Sequence, residues 1–132
     1  MGKNPDQILI ISNNADLVQA LRVILRGQFE VSSFETLIEA RGALPGVNCI
    51  LIDMSNTERK IVDDLGVLLE KTTFPVITII NENDIQTRKE AIGAGIYDYL
   101  DFPLDPDRVA ITLKRAVAAP PLPGDLRLKT ND

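Results

Sequence analysis

The sequence contains no histidine and has a single cysteine, Cys49. Without histidine, Ser-His-Asp and Cys-His catalysis are excluded, and the commonest metal ligand of proteins is missing. One cysteine cannot build a zinc site of the usual Cys/His kind. Because Cys49 lies within an apolar run, we expect it to be a small buried hydrophobic residue.

The sequence also lacks an excess of positive charge and a long apolar run. The 132 residues fit one domain, and their formal net charge of −5 argues against a nucleic-acid surface, which needs a basic patch. No apolar run approaches the roughly 18 residues of a membrane span, and residues 1–6 lack the apolar core of a signal peptide. We therefore expect a cytoplasmic protein that binds neither nucleic acid nor membrane.

Short apolar runs alternate with amphipathic stretches along the chain. Strands are predicted at residues 8–11, 29–31, 49–53, 75–80 and 97–100. Helices are predicted from Asn13 or Asn14 to Gly27, at 36–43, 61–71 and 84–94, and from Asp105 onward. Five successive βα units predict an α/β domain, a doubly wound five-stranded parallel sheet with helices on both faces.

The predicted domain spans residues 1–117, and the proline-rich residues 118–132 are predicted to be a linker or disordered tail. In a doubly wound sheet, ligands bind beyond the carboxyl ends of the strands. The residues expected at that edge are Ser12, Asn13 and Asn14, residues 53–56, Ile80 and Asn81, and residues 101–103.

The segment 91–103 resembles the receiver domain of bacterial response regulators. It has that family's helix ending in Gly-Ala, its Asp-Tyr-Leu motif, and the proline of its lysine-proline pair. Asp53, at the end of the third predicted strand, falls where the family carries its phosphoryl-accepting aspartate, and residues 14–17 follow the family's opening. The resemblance covers residues 7–117 and implies a flavodoxin-like fold and a role in two-component signal transduction or a phosphorelay.

A working receiver also has two carboxylates after the first strand, a threonine or serine ending the fourth, and a lysine before the proline. With the acceptor aspartate, the carboxylates hold Mg²⁺, and the other groups neutralise phosphoryl charge. Here those positions are occupied by Ser12 and Asn13, by Ile80, and by Phe102. The family's Met-Pro-x-Met-Asp-Gly turn is also replaced, at residues 55–60. What is retained is Asp53, Tyr99 and Pro103, the last two at the family's switch and interaction positions.

Each of these residues also has a purely structural interpretation. Asp53 could be a loop or helix-cap carboxylate, Ser12 and Asn13 could be helix caps, and Phe102 could fill the space of the missing lysine. Asn13, Asp53 and Ser55 are weak candidates for Mg²⁺ ligands. Residues 81–84 are expected to be a polar turn, and residues 88–90 a solvated helix face.

Three functions are compatible with the sequence. The first is a pseudo-receiver, not an enzyme, that acts through protein contacts with a histidine kinase, an output domain or a second copy, through residues 85–117. No cofactor is expected unless the site is active, when Mg²⁺ would be needed. The second is an atypical receiver phosphorylated on Asp53 by a partner kinase. The third is a small-molecule-binding domain with an apolar pocket near Phe102.

Overall fold

A computed structural model describes residues 5–55 and 59–119, with side chains for all of these except residues 59–64. Strands and helices alternate along the chain. They are β1 (Asp6–Ile11), α1 (Ala15–Leu25), β2 (Phe29–Phe34), α2 (Leu37–Ala40), β3 (Cys49–Asp53), α3 (Arg59–Lys71), β4 (Val76–Asn81), α4 (Ile85–Ala94), β5 (Asp98–Phe102) and α5 (Pro106–Ala118). A short 3₁₀ helix, Arg41–Ala43, follows α2.

The five strands form one parallel sheet in the order β2-β1-β3-β4-β5. This confirms the predicted doubly wound fold. The strand order changes direction between β1 and β3, which places the topological switch point there. Ser12, directly after β1, and Asp53, the last residue of β3, therefore lie side by side at the ligand-binding edge of the sheet.

Each face of the sheet is covered by an apolar core. The first core cluster lies under α1 and α5 and includes Leu21, Leu51, Ile79 and Leu113. The second core cluster lies under α2, α3 and α4 and includes Leu9, Ile52, Met54, Leu65, Ile80 and Ala91. Residues 49–52 of β3 are all apolar because the strand is covered on both faces and has no side that contacts solvent.

Several element boundaries differ from the predicted ones. Strand β2 continues to Phe34 because all six of its residues pair with β1. Strand β5 ends at Phe102, which pairs with Asn81. The helix predicted at 36–43 is a single α-helical turn capped by Thr36, followed by the 3₁₀ helix. Helix α5 extends one residue past the predicted domain end, and the predicted tail from residue 120 onward lies outside the described residues.

Cys49 is fully buried in the first core cluster, as predicted. Burial raises the pKa of its thiol from the ordinary 9.0 to about 12, because the thiolate is poorly solvated there. Between these values the folded chain keeps the proton and the unfolded chain loses it. We expect the free energy of unfolding to fall by up to about 1.4 kcal/mol per pH unit above pH 9, relative to Cys49→Ala. Urea unfolding of both proteins across this range tests the prediction, and parallel pH profiles would contradict it.

Thr78 in β4 is fully buried, and its hydroxyl has no hydrogen-bond partner among the described residues. A buried polar group without a partner costs about 1–3 kcal/mol. Thr78→Val replaces the hydroxyl with a methyl group of similar size and suits a strand. We expect it to raise the free energy of unfolding by about 1 kcal/mol in chemical denaturation. Destabilisation would instead mean that a buried water molecule binds the hydroxyl.

Candidate functional site

Asp53 lies at the carboxyl end of β3, and the residue is only 6% exposed. Its Oδ2 atom accepts a hydrogen bond of 2.7 Å from the hydroxyl of Ser12. Its Oδ1 atom accepts two more, of 2.9 Å from the Ser55 amide and 2.5 Å from the Ser55 hydroxyl. Both carboxylate oxygens are therefore paired with neutral donors from the chain itself.

The hydrogen bonds continue to neighbouring elements. The amide of Asn14 donates to the Ser12 hydroxyl over 3.0 Å, and the side-chain amide of Asn81 donates to the carbonyl of Ser55. The network thus joins the ends of β1, β3 and β4. Asn81 was expected at this edge of the sheet and in a polar turn, but its hydrogen bond to Ser55, 26 residues away, was not predicted.

The predicted cap of α1 is confirmed at Asn14, whereas the capping roles considered for Ser12 and Asn13 are wrong. The side chain of Asn14 caps α1 by accepting the amide of Leu17, while Ser12 bonds Asp53 and Asn13 is exposed to solvent. Asn14 was one of the two predicted helix starts, and α1 begins directly after it, at Ala15. The predicted polar turn before α4 is confirmed at residues 82–84, where Asp84 caps α4 by accepting a hydrogen bond from the amide of Thr87.

Two of the substituted positions are occupied by packed apolar side chains. Ile80 is fully buried in the second core cluster, and Phe102 is half-buried against the first. The carbonyl of Phe102 accepts the amide of Glu82 over 3.1 Å, and the bond from Phe102 to the exposed Pro103 is cis. Neither apolar side chain can hydrogen-bond or neutralise an anion at this edge.

The described residues do not fit Mg²⁺. This ion requires near-octahedral oxygen coordination with anionic ligands. Among the candidate ligands only Asp53 carries a charge, and both of its oxygens already accept hydrogen bonds. Within residues 5–55 and 59–119, no three Asp, Glu, His or Cys residues converge as a metal site would require. The substituted turn at 56–58 lies outside the described residues.

Arg88 contradicts the prediction that residues 88–90 are a solvated helix face. Its side chain is 26% exposed, and its guanidinium carbon lies 5.2 Å from the centre of the Tyr99 ring. Its Nη2 atom donates to the carbonyl of Glu82 over 2.9 Å and lies 3.6 Å from the carboxylate of Asp101. The contact was missed because Arg88 and Tyr99 lie on different elements that only the folded sheet brings together.

Two cavities open near this edge of the sheet. One of about 320 Å³ is lined by residues after β1 and at the end of β2, namely Ser12, Asn13, Ala15, Val18, Gln19, Ser33, Phe34 and Glu35. One of about 210 Å³ lies against β5 and α5 and is lined by Tyr99, Leu100, Asp101, Pro103, Leu104, Asp105 and Arg108. Phe102 lines neither of these two cavities, so they give no support to a metabolite pocket around it.

Comparison with solved structures places this geometry in a known fold. The N-terminal receiver domain of a two-component response regulator from Bacteroides fragilis matches with a TM-score of 0.75 and 20% identity, over 89% of this chain and 100% of that one. This chain has the receiver-domain fold. A pilus assembly-related protein of Burkholderia pseudomallei matches equally well, with a TM-score of 0.77 and 21% identity, over 89% and 93% of the two chains. At these identities the likeness shows the receiver fold alone.

The sequence relatives include response regulators and transcriptional regulatory proteins. An NtrX-like response regulator of Rickettsia bellii is 30% identical over 118 residues, which are 83% of this chain and 24% of the relative. The chain thus spans about a quarter of the length of such relatives. No family model matches it. No helix within residues 5–55 and 59–119 has the length and apolar character needed to cross a membrane.

Proposed function

We propose that this chain is a pseudo-receiver, a regulatory module of two-component signalling that acts through protein contacts without phosphorylation of Asp53. The observation that carries the proposal is the hydroxyl pair on Asp53. Ser12 and Ser55 occupy the carboxylate oxygens from which a receiver would attack a phosphoryl donor and bind its metal. The relatives support the signalling role, because they are response regulators of which this chain matches about a quarter.

Electrostatics support the loss of phosphoryl chemistry. An opposite unit charge about 4 Å away contributes roughly 4 kcal/mol at an effective dielectric near 20. With Ser12 and Asn13 in place of two carboxylates, most of the attraction for Mg²⁺ is missing. Phe102 offers no cation to the charge that develops during phosphoryl transfer, and such groups are worth orders of magnitude in rate. The proposed module is therefore neither an enzyme nor dependent on a cofactor.

The proposed contact surface comprises α4, β5 and α5. Three large apolar side chains are exposed to solvent there. Ile85 and Ile92 on α4 are 58% and 51% exposed, and Ile111 on α5 is 54% exposed. Ile85 and Ile92 are seven residues apart, about two helical turns, so they lie on one side of α4. Exposed apolar groups that recur on one surface favour protein contacts.

The proposed partners are a histidine kinase, an output domain or a second copy of the chain. A second copy is the partner that can be tested with the chain alone, because a two-fold dimer uses the same surface on both subunits. We expect Ile92→Glu to weaken self-association at least about tenfold, since burial of one isoleucine contributes roughly 1.5–3 kcal/mol. Asp53→Asn should leave self-association unchanged.

Sedimentation of the purified chain over a range of concentrations tests this proposal. Val23→Glu is the matched control, because Val23 is 55% exposed but lies on α1, which is not part of the proposed surface. Equal weakening by Ile92→Glu and Val23→Glu would contradict the proposed surface. Loss of association in Asp53→Asn would contradict independence from the Asp53 site.

A further inference from the structure

The guanidinium of Arg88 joins three elements beside Tyr99. It lies over the Tyr99 ring, which belongs to β5, at 5.2 Å from the ring centre. It donates to the carbonyl of Glu82 in the loop between β4 and α4, and that residue's amide donates to the carbonyl of Phe102. It also lies 3.6 Å from Asp101 on β5. Helix α4, its preceding loop and β5 are thus held together by one side chain.

The Tyr99 ring contributes strongly to holding Arg88 in this position. The Arg88 Nε atom is buried and has no hydrogen-bond partner among the described residues, which costs free energy. The side chain of Asp101 is 53% exposed, so solvent weakens its ion pair with Arg88, which can help to orient the guanidinium but cannot hold it alone. A cation over an aromatic ring is attracted to the negative face of the ring, and more strongly as water is excluded. Arg88 and Tyr99 therefore fix each other.

No polar side chain at residue 80 connects Tyr99 to the Asp53 site. Tyr99 packs against the second core cluster, which contains Ile80 at the end of β4. The Ile80 side chain can neither donate nor accept a hydrogen bond. On the other side of β4, the hydrogen bonds of Asp53 lead to Ser12 and Ser55. In these contacts, no polar side chain belongs both to the Arg88–Tyr99 contacts and to the hydrogen bonds of Asp53.

We propose that Arg88 is the positioning residue for Tyr99, and that it holds the surface of α4 and β5 in one conformation whatever the state of Asp53. This inference rests on the proposed function, because it explains how a contact surface stays formed without a phosphoryl signal. The ion pair with Asp101 is an auxiliary contact that orients the guanidinium over the ring.

The chain's composition allows a direct test. It contains no tryptophan and only two tyrosines, so in a Tyr97→Phe background the tyrosine band of near-ultraviolet circular dichroism reports on Tyr99 alone. In that background, Arg88→Leu is expected to lose most of the band. Asp53→Asn and the matched control Lys89→Leu, which changes an exposed neighbour on α4, should retain it. The far-ultraviolet spectrum should be unchanged in all three.

A second variant keeps the inference testable if Arg88→Leu misfolds. Asp101→Asn alters an exposed carboxylate, keeps Arg88 and is expected to lose part of the Tyr99 band. A band retained in both Arg88→Leu and Asp101→Asn would overturn the inference, as would a band lost in Asp53→Asn. These results are independent of the proposed function, whose failure would be seen in sedimentation or in phosphorylation of Asp53.

Discussion

A chain carrying Ser12→Asp and Asn13→Asp together should bind Mg²⁺ on the order of a hundredfold more tightly than the natural chain. Two added carboxylates beside Asp53 would restore a site with three negative charges. Each charge contributes up to about 4 kcal/mol near 4 Å. We discount the sum by more than half, because residue 13 is exposed and salt would screen the charge of an aspartate there. About 2.7 kcal/mol corresponds to a hundredfold change in affinity.

The same variant should be strongly destabilised when no metal is present. Ser12 is buried and donates to Asp53, and its replacement by aspartate exchanges that hydrogen bond for a like charge. Leaving a buried charge without compensation costs about 3–5 kcal/mol. Because Mg²⁺ would bind only the folded state, it should recover much of this loss.

Thermal unfolding with and without Mg²⁺ measures both effects. The natural chain should show no change in melting temperature with Mg²⁺, whereas the double variant should show a large increase. Asn14→Asp is the matched control: it adds a charge to the same loop and preserves the helix cap, since aspartate caps as well as asparagine. An equal response of the natural chain to Mg²⁺ would contradict the account of the Asp53 site.

Ser12→Ala is expected to lower the free energy of unfolding by about 1.5–3 kcal/mol, the range for hydrogen bonds to charged groups. The substitution leaves one oxygen of the buried Asp53 carboxylate without its donor. In an Asp53→Asn background the same substitution should cost much less, because no charge is left unpaired.

The double-mutant cycle gives the coupling free energy between Ser12 and Asp53 directly, from denaturant unfolding of the four proteins. We expect a coupling of about 1–2 kcal/mol. A coupling near zero would mean that solvent satisfies the carboxylate as well as Ser12 does, and that the hydroxyl pair does not define this site.

The fold was predictable because its signals are local. The apolar run at β3 predicts a strand buried on both faces, as the structure shows. Gly95, with a positive φ of 100°, ends α4 at the predicted position. Asp105 followed by Pro106 marked the start of α5, and the structure bears this out. Boundaries shifted where pairing with a neighbouring strand, rather than local composition, extends an element, as at Phe34.

The position of the site could be predicted from the sequence, but the hydrogen-bond partners of its side chains could not. Asp53 and Ser12 were expected at the same edge, because parallel strands end together at the switch point. Their hydrogen bond joins residues 41 apart, and whether Ser12 caps a helix or bonds a carboxylate depends on side-chain directions that no periodicity encodes. The same holds for Arg88. The charged residues beside it on α4 predict a helix face exposed to solvent, but its partners are the Tyr99 ring on β5 and the Glu82 carbonyl in the loop before α4.

The central claim is that Asp53 no longer accepts a phosphoryl group, and intact mass tests it most directly. The chain would be incubated with a small acyl-phosphate donor and excess Mg²⁺, beside an Asp53→Ala control and an active receiver domain as positive control. We predict no mass gain in either form of this chain while the active receiver is modified. A gain of one phosphoryl group that disappears in Asp53→Ala would contradict the account and identify an atypical receiver that is still phosphorylated.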